Sequence, residues 1–456
     1  MHAPGQADEA DWVTATAASA VQADVRLPGS KSMTNRALIL AALAQEPTTI
    51  VGPLRARDTQ LMTSAILALG AAVSDADGGA GAGSANGAGA IREAWTVTPG
   101  WTSAAAMVDV GNAGTVLRFV PPAAALAMGD VEFTGDARAA HRPVSQLLAG
   151  LRQAGVEIHD GGRGCVPFIV RGRGRVRGGQ VTLDASASSQ LVSGLMLAAP
   201  RYEQGAEISH RGERIPSAPH IAMTVAMLCA AGADVEQGTT AHGGVPVPDF
   251  WRVRPGRLAP GTITIEPDLS NAAPFLAAAL VTAGQVTIHG WPAVSLQPAS
   301  QILDMLRQMG AVCQPTASGL RINGTGRISG IRADLRDVSE LAPVLTALAA
   351  LADAPSEFTG IGHMRLHESN RLAALAAGIG ALGGQVTELP DGLRIQPRPL
   401  RAGSGPFDSH DDHRLVMAAA VLGLAVPGLR VRNAATVSKT FPEFRPLWLQ
   451  MLGQAP

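Results

Sequence analysis

The sequence predicts an α/β protein made of six copies of one βαβαββ plan, gathered three and three into two similar domains. Three observations lead there. A polar loop running into an alanine- and leucine-rich helical stretch recurs six times, at a spacing of roughly 70 to 80 residues. Each such stretch is followed by a short β-branched run, a second polar loop and another helix that ends near a glycine. Pairs of short alternating segments with Gly/Asp turns, which read as hairpins, lie between the units. One unit is too small to bury its own apolar helix faces, and 456 residues exceed one ordinary core, so the units must share two.

The first unit comprises Gly29–Ala44, a strand at Thr48–Val51, and the helix Asp58–Leu69 before Gly70. The second opens at Asp109-Val110-Gly111-Asn112-Ala113-Gly114-Thr115. A helix to Met128, the strand Val131–Thr134 and the helix Val144–Ala154 follow. The third has Asp184–Gln190, a helix to Ala199, the strand Ala206–Ser209 and the helix Ala218–Ala231. The fourth begins at Asp268-Leu269-Ser270-Asn271, with strand Val286–His289 and helix Pro298–Met309. The fifth begins at Asp337-Val338-Ser339-Glu340, with strand Glu357–Thr359 and helix Glu368–Leu382. The last opens at Asp408 and runs through Asp412-His413-Arg414 to a helix ending at Leu424, strand Leu429–Val431 and helix Pro442–Leu452. Residues 28–257 form the first expected domain, and 1–27 with 258–456 the second. The strand Val25–Leu27 is expected in the second domain's sheet. Ser74–Ala90 and Gly238–Val245, rich in small residues, read as hairpin tips.

Composition narrows the function classes. With 46% hydrophobic and 16% charged residues and a formal net charge of −1, bulk attraction to nucleic acid or anionic membranes is not expected. The arginine–glycine run Arg171–Gly179 lacks interleaved aromatics, so it reads as a solvated strand and turn. Cys165, Cys229 and Cys313 are far apart and suggest neither a disulfide framework nor a zinc site. The N-terminus does not read as a signal peptide, and no run has the roughly 18 apolar residues of a membrane span. A soluble cytoplasmic protein is expected.

The loops carry the chemistry. Leu27-Pro28-Gly29-Ser30-Lys31-Ser32 leads directly into a helix. Its unpaired backbone N–H groups and positive dipole end, with Lys31, Ser32 and Arg36, suit an anion such as phosphate. It is not a Walker A loop, because no glycine stands at the required upstream spacing. If the helices radiate from a common cleft, the later units add Asn112, Gly114, Thr115, Ser188, Ser189, Gln190, Glu340, Asp412, His413 and Arg414. Second loops add Arg142, Ser217, His367, Glu368, Arg371 and Lys439. Several cations, hydroxyls and two carboxylates describe a site for more than one anionic small molecule. His363 and His367, four apart, lack the motif and third ligand of a metal site, and neither metal nor cofactor is expected. The unit-opening acids, including Asp58, read as helix caps.

Taken in order, several motifs make the chain resemble the 5-enolpyruvylshikimate-3-phosphate synthase (3-phosphoshikimate 1-carboxyvinyltransferase) family of enolpyruvyl transferases. They are Leu-Pro-Gly-Ser-Lys-Ser with Asn35-Arg36, Gly111–Thr115 with Arg118, Ser188-Ser189-Gln190, Glu368 with Arg371-Leu372, Asp412-His413-Arg414 and Ser438–Pro442. The resemblance covers nearly the whole chain. It implies two inverse α/β domains of three βαβαββ repeats each, around an interdomain cleft. It further implies that phosphoenolpyruvate is held by Lys31, Gly114, Arg142, Gln190, Arg371, Arg414 and Lys439. Shikimate 3-phosphate would be held by Lys31, Ser32, Arg36, Ser188, Ser189, Gln190, Ser217, His220, Glu340, His363 and His367. Within that set Arg36 suits the ring carboxylate, and the serines with His367 the phosphate. Lys31, Glu340 and Glu368 would carry the proton transfers of an addition–elimination reaction.

The chain departs from the family's commonest pattern in places. Many relatives have lysine at His367, asparagine at His363, tyrosine at His220, aspartate at Glu340 and proline at Phe119. A histidine at 367 is charged only below its pKa, so phosphate binding is expected to be pH-sensitive. Phe119, one turn from Gly114, is expected to alter the shape around phosphoenolpyruvate. Two rivals stand beside this reading: a UDP-N-acetylglucosamine enolpyruvyl transferase, and a non-catalytic repeat protein that binds a phosphorylated ligand. The sister enzyme typically has asparagine at Ser32 and a cysteine in a mobile loop. A monomer is the default, since one chain can close around its own cleft.

Overall fold

The computed structural model describes residues 11–76, 93–101, 105–142, 144–242 and 245–455. The chain divides into two compact units, Pro28–Glu266, and Met1–Leu27 with Pro267–Pro456.

Within Pro28–Glu266 lie three four-stranded sheets of one design. Thr262–Thr264 runs parallel to Thr48–Val51, which pairs antiparallel with Ala94–Thr98, itself antiparallel to Ala72–Asp75. The second sheet joins Ala106–Asp109, Met128–Thr134, Phe168–Arg173 and Glu157–His159 in the same senses. The third joins Gly179–Leu183, Ala206–His210, Val245–Val253 and Val235–His242. In the second and third sheets a helix links the two parallel strands, as a parallel crossover requires, whereas in the first the parallel pair joins the two ends of the unit.

The other unit repeats the design. Gln22–Arg26 lies parallel to Gln285–His289, beside Gly319–Gly324 and Ala311–Thr316. Arg332–Asp334, Ser356–Thr359, Gly392–Gln396 and Gln385–Leu389 form the next sheet. The sixth has three strands: Phe407–Asp408 parallel to Arg430–Arg432, with Trp12–Val13 antiparallel to the latter. Trp12–Val13 thus stands where the other sheets have a hairpin, and two residues carry too little alternation to be read from sequence.

The cores follow from which helices are apolar on every face, since such helices can only be buried. In Pro28–Glu266 these are Lys31–Leu43, Gly114–Ala124 and Gln190–Ala198, which pack against one another. In the second unit they are Leu269–Thr282, Ala342–Ala350 and His413–Gly423. Close approach is built in at Gly194, where a Cβ would stand 2.1 Å from the Arg118 carbonyl oxygen. Among the described residues no helix is long and apolar enough to cross a membrane.

Three expectations change. The unit boundary lies at 266 rather than 257, because Thr262–Thr264 extends the sheet of Thr48–Val51. Gly238–His242 is strand, paired with Val245–Phe250 across a bulge at Gly238/Thr239, so paired strand reaches far into the expected hairpin tip. The expected tip Ser74–Ala90 is strand as far as Asp75, and residues 77–90 lie outside the described residues. The arginine run is balanced by carboxylates: Glu157 pairs with Arg171 at 2.9 Å and Arg173 at 2.8 Å, and Glu203 with Arg175 at 3.6 Å.

Candidate active site

In Pro28–Glu266 the starts of the three buried helices meet. Asn35 Nδ2 donates to Thr115 Oγ1 at 2.6 Å, joining the first helix to the second. Arg118 Nη1 donates to Gln190 Oε1 at 3.0 Å, joining the second to the third. Arg36 reaches the third from the first, with Nη2 at 3.4 Å from Ser193 Oγ. Lys31 is the first residue of its helix, and Ser30 caps that helix by accepting from Met33 N. Lys31 Nζ donates to Asp58 Oδ2 at 3.3 Å, and the Asp58 carboxyl is almost wholly buried. Asp58 is therefore no helix cap: it lies inside Arg57–Ala68 and holds the lysine.

Arg142 comes to the same place from a loop. Its Nη1 donates to the Asn112 carbonyl oxygen at 2.8 Å and to Asn112 Oδ1 at 3.1 Å. Gly114 has no side chain because none fits, as a Cβ there would meet Arg142 Nη2 at 2.5 Å and Arg118 Nη1 at 3.0 Å. Ser188 Oγ accepts from the backbone N–H of Gln190 at 3.3 Å, and Ser189 is buried beside it. Ser217 sits in the left-handed region at φ 54°, a costly conformation for serine that is typical of functional sites. His220 meets Arg36 through its backbone, the carbonyl oxygen accepting from Nη2 at 2.9 Å. The structure thus groups Asn112, Gly114 and Arg142 at one helix start, which Asn35 and Thr115 tie to the helix of Lys31 and Arg36, with Ser193 and His220 adjoining Arg36.

The second unit gathers charge more tightly. Arg371, buried, donates from Nε to Asp412 Oδ2 at 2.7 Å and from Nη2 to Asp412 Oδ1 at 3.1 Å. Nη2 also donates to Glu368 Oε2 at 3.0 Å, and Nη1 to Glu340 Oε2 at 3.4 Å. Glu340 Oε2 is 3.4 Å from Arg414 Nε as well, and Lys439 Nζ is 3.8 Å from Glu368 Oε1. Asp412 caps its own helix, accepting from Arg414 N, so one carboxylate orients two arginines. Arg414 Nη1 donates to the Ser270 carbonyl oxygen at 3.0 Å.

Burial and charge compete at each of these groups. Burial raises the Glu340 carboxyl, but the charges of Arg371 and then Arg414 overcome it and hold it well below the usual carboxylate range. Burial lowers Arg371, and Asp412, Glu368 and Glu340 more than restore it. His367 is driven well below 6.5, first by burial and then by Arg371. Arg371 can only donate, so at 3.2 Å the His367 Nδ1 must accept, leaving the ring proton on Nε2. The expected pH-dependent charge at 367 is thus a neutral donor in the free protein. His363, stacked edge-to-face on His367 at 5.2 Å, falls to about 4 through burial, which Glu340 and Asp391 only partly oppose.

These two rings make an acid-stability prediction. Their folded pKa values lie below the unfolded value of about 6.5, so the unfolded chain binds the proton first. Their contribution is intact above about pH 6.5 and is lost as pH falls toward about 4. Urea midpoints at pH 7, 5.5 and 4.5 should fall, and His363→Asn should flatten the fall. An identical pH dependence in that variant would refute the assignment.

With both clusters in view, comparison with known proteins becomes informative. The family model for EPSP synthase (3-phosphoshikimate 1-carboxyvinyltransferase) matches residues 15–448. The chain belongs to the EPSP synthase family. A solved EPSP synthase from Acinetobacter baumannii is 25% identical, with 97% of each chain covered and a TM-score of 0.73. A second structure of EPSP synthase from that organism gives 24% identity, 97% and 98% coverage and a TM-score of 0.73. The enolpyruvyl transferase NikO from Streptomyces tendae shares the fold, at 18% identity, 96% coverage of both chains and a TM-score of 0.70.

Set beside other EPSP synthase family members, this chain holds its motif residues in two groups, one in each unit. Asp58 is missed as a site member by sequence reasoning, and Arg118 and Asp412, though among the motif residues, are given no role there. Asp58 was taken for a cap, although a carboxylate two turns from no obvious partner is a signal only once Lys31 is placed. Arg118, which accompanies the Gly111–Thr115 motif, lies inside an apolar helix and is buried against Gln190. Asp412 was noted as a cleft residue but given no role; it clamps Arg371.

Proposed function

We propose that this chain transfers the enolpyruvyl group of phosphoenolpyruvate to the 5-hydroxyl of shikimate 3-phosphate and releases phosphate. The observation that carries the proposal is Glu368 with one oxygen against Arg371 and the other near Lys439. A proton carrier there would lie between two cations suited to the carboxylate and phosphate of one small ligand. Arg371 and Arg414 hold the phosphoenolpyruvate carboxylate; Lys31, Arg142 and Lys439 its phosphate, with Gly114 and Gln190 against it. Ser188, Ser189, Ser217 and His367 hold the phosphate of the acceptor, and Arg36 its carboxylate. Ser32, Gln190, His220, His363 and Glu340 contact the rest of the acceptor.

The steps follow from these roles. Glu368 gives a proton to the methylene carbon, leaving a cationic centre at the carbon that bears the phosphate ester. The 5-hydroxyl oxygen adds there and loses its proton to Glu340 or Lys31. Glu368 then removes a methyl proton, the C–O bond to phosphate breaks, and the enol ether forms. Ligand anions that draw Arg371 and Lys439 away from Glu368 remove the charges favouring its ionised form, which is what a proton donor needs. Glu340 is kept ionised by Arg371 and Arg414, and it becomes a stronger base once the ligand carboxylate engages those arginines. The partners are small molecules, and the reading takes the chain as a cytoplasmic monomer.

The test is phosphate release from phosphoenolpyruvate with shikimate 3-phosphate or UDP-N-acetylglucosamine as acceptor. Release only with the former is expected. Release only with the sugar nucleotide would transfer the chain to the sister activity, and binding without release would make it a binding protein. Gly114→Ala adds a methyl that must displace Arg142, so the phosphoenolpyruvate KM should rise about 10- to 100-fold. The acceptor KM should change little in the same steady-state assay, and an unchanged phosphoenolpyruvate KM would remove Arg142 from that pocket.

A further inference from the structure

Arg36 is a buried cation, 1% exposed. Its Nε donates to Thr224 Oγ1 at 2.7 Å and its Nη1 to the Ser32 carbonyl oxygen at 2.9 Å. Its Nη2 donates to the His220 carbonyl oxygen at 2.9 Å and to Ser193 Oγ at 3.4 Å. Every acceptor is neutral, and among the described residues no carboxylate pairs with Arg36, whereas Lys31 has Asp58 and Arg371 has Asp412, Glu368 and Glu340. Of the five guanidinium N–H groups, these bonds use four, leaving one on Nη1. Burial pushes the group down to about 9, the direction expected of a desolvated cation without a counter-charge.

One further group lies against it. The ring of Phe119, fully buried, has its centroid 5.0 Å from Arg36 Cζ, which sits over the ring face. An aromatic face carries negative potential and attracts a guanidinium most strongly where water is excluded. We infer that Phe119 is a positioning residue that holds the Arg36 guanidinium for a ligand carboxylate, standing in for an anion while the site is empty. A real carboxylate at this place would neutralise Arg36 and compete with the incoming ligand; a ring stabilises the charge without occupying its last N–H. The inference rests on the proposal that Arg36 binds the acceptor's carboxylate, and it assigns Phe119 to the acceptor rather than to phosphoenolpyruvate.

Stepwise ring fluorination separates charge from packing, because it weakens the ring's potential with little change of shape. Phe119 would be replaced by its 4-fluoro, 3,5-difluoro and 3,4,5-trifluoro forms in the full chain, and shikimate 3-phosphate binding measured by calorimetry. Kd should rise at each step, to about tenfold at the trifluoro form, and the thermal midpoint of the free protein should fall in step as the buried charge loses its ring. Phe119→Leu should raise the acceptor KM by a similar factor and leave the phosphoenolpyruvate KM alone. A flat fluorine series, with Arg36→Gln still abolishing acceptor binding, overturns the inference and spares the role of Arg36. If Arg36→Gln itself leaves acceptor binding intact, both fall. A rise confined to the phosphoenolpyruvate KM also overturns it, since Phe119 would then act through the Gly114 turn.

Discussion

Replacing Glu368 by glutamine should lower turnover by about 10²- to 10⁴-fold, the usual contribution of a positioned acid or base. The amide oxygen can still accept from Arg371 Nη2, now at 3.0 Å from the carboxylate, so the arginine keeps one of its anchors. What the amide cannot do is give and retake a proton. The Kd for shikimate 3-phosphate should therefore stay within about twofold, because Glu368 is not assigned to that ligand. In deuterated water the active enzyme should also label the methylene of recovered phosphoenolpyruvate if protonation is reversible, and the glutamine variant should not. Unchanged turnover, or an acceptor affinity that falls as far as turnover does, would take Glu368 out of the chemistry.

Repeats and helix starts were legible in the sequence because they are set by local pattern. Alanine- and leucine-rich stretches apolar on all faces, such as 269–282 and 413–423, could only be buried, and the polar residues at their starts were bound to lie together. Pairings between distant segments were less visible. A strand at Val25–Leu27 is expected in the second domain's sheet, but neither its partner Gln285–His289 nor the pairing of Thr262–Thr264 with Thr48–Val51, which moves the boundary, has a local signal. In the site, residue types were readable and their charge states were not. His367 looked like a titrating phosphate ligand until Arg371 was found donating to its Nδ1. Phe119 looked like a change of shape until Arg36 was found over its face. Both depend on contacts between elements that no local pattern encodes.

Arg371→Met should be the most damaging single change in the second unit. The methionine fills much of the space but leaves Asp412, fully buried, and Glu368, nearly so, without the guanidinium that both of them accept from. Breaking a buried pair on one side costs about 3–5 kcal/mol, so the urea midpoint should drop accordingly. Loss of the proposed carboxylate clamp should lower kcat/KM for phosphoenolpyruvate about a thousandfold, or about 4 kcal/mol at 1.36 per decade. The pH dependence gives a sharper reading. In the parent chain Glu340 is held low by Arg371 and Arg414, so its contribution is present above the unfolded value and is lost as pH falls. In the variant Glu340 loses the larger of the two charges that hold it low, so this loss of stability with falling pH should flatten. Adding Asp412→Asn should recover much of the stability and none of the activity, because the buried charge is gone but the clamp is not restored. If Arg371→Met alone keeps the parent's stability and its phosphoenolpyruvate KM, then the three carboxylates are not held together by this arginine, and the clamp assignment fails with it.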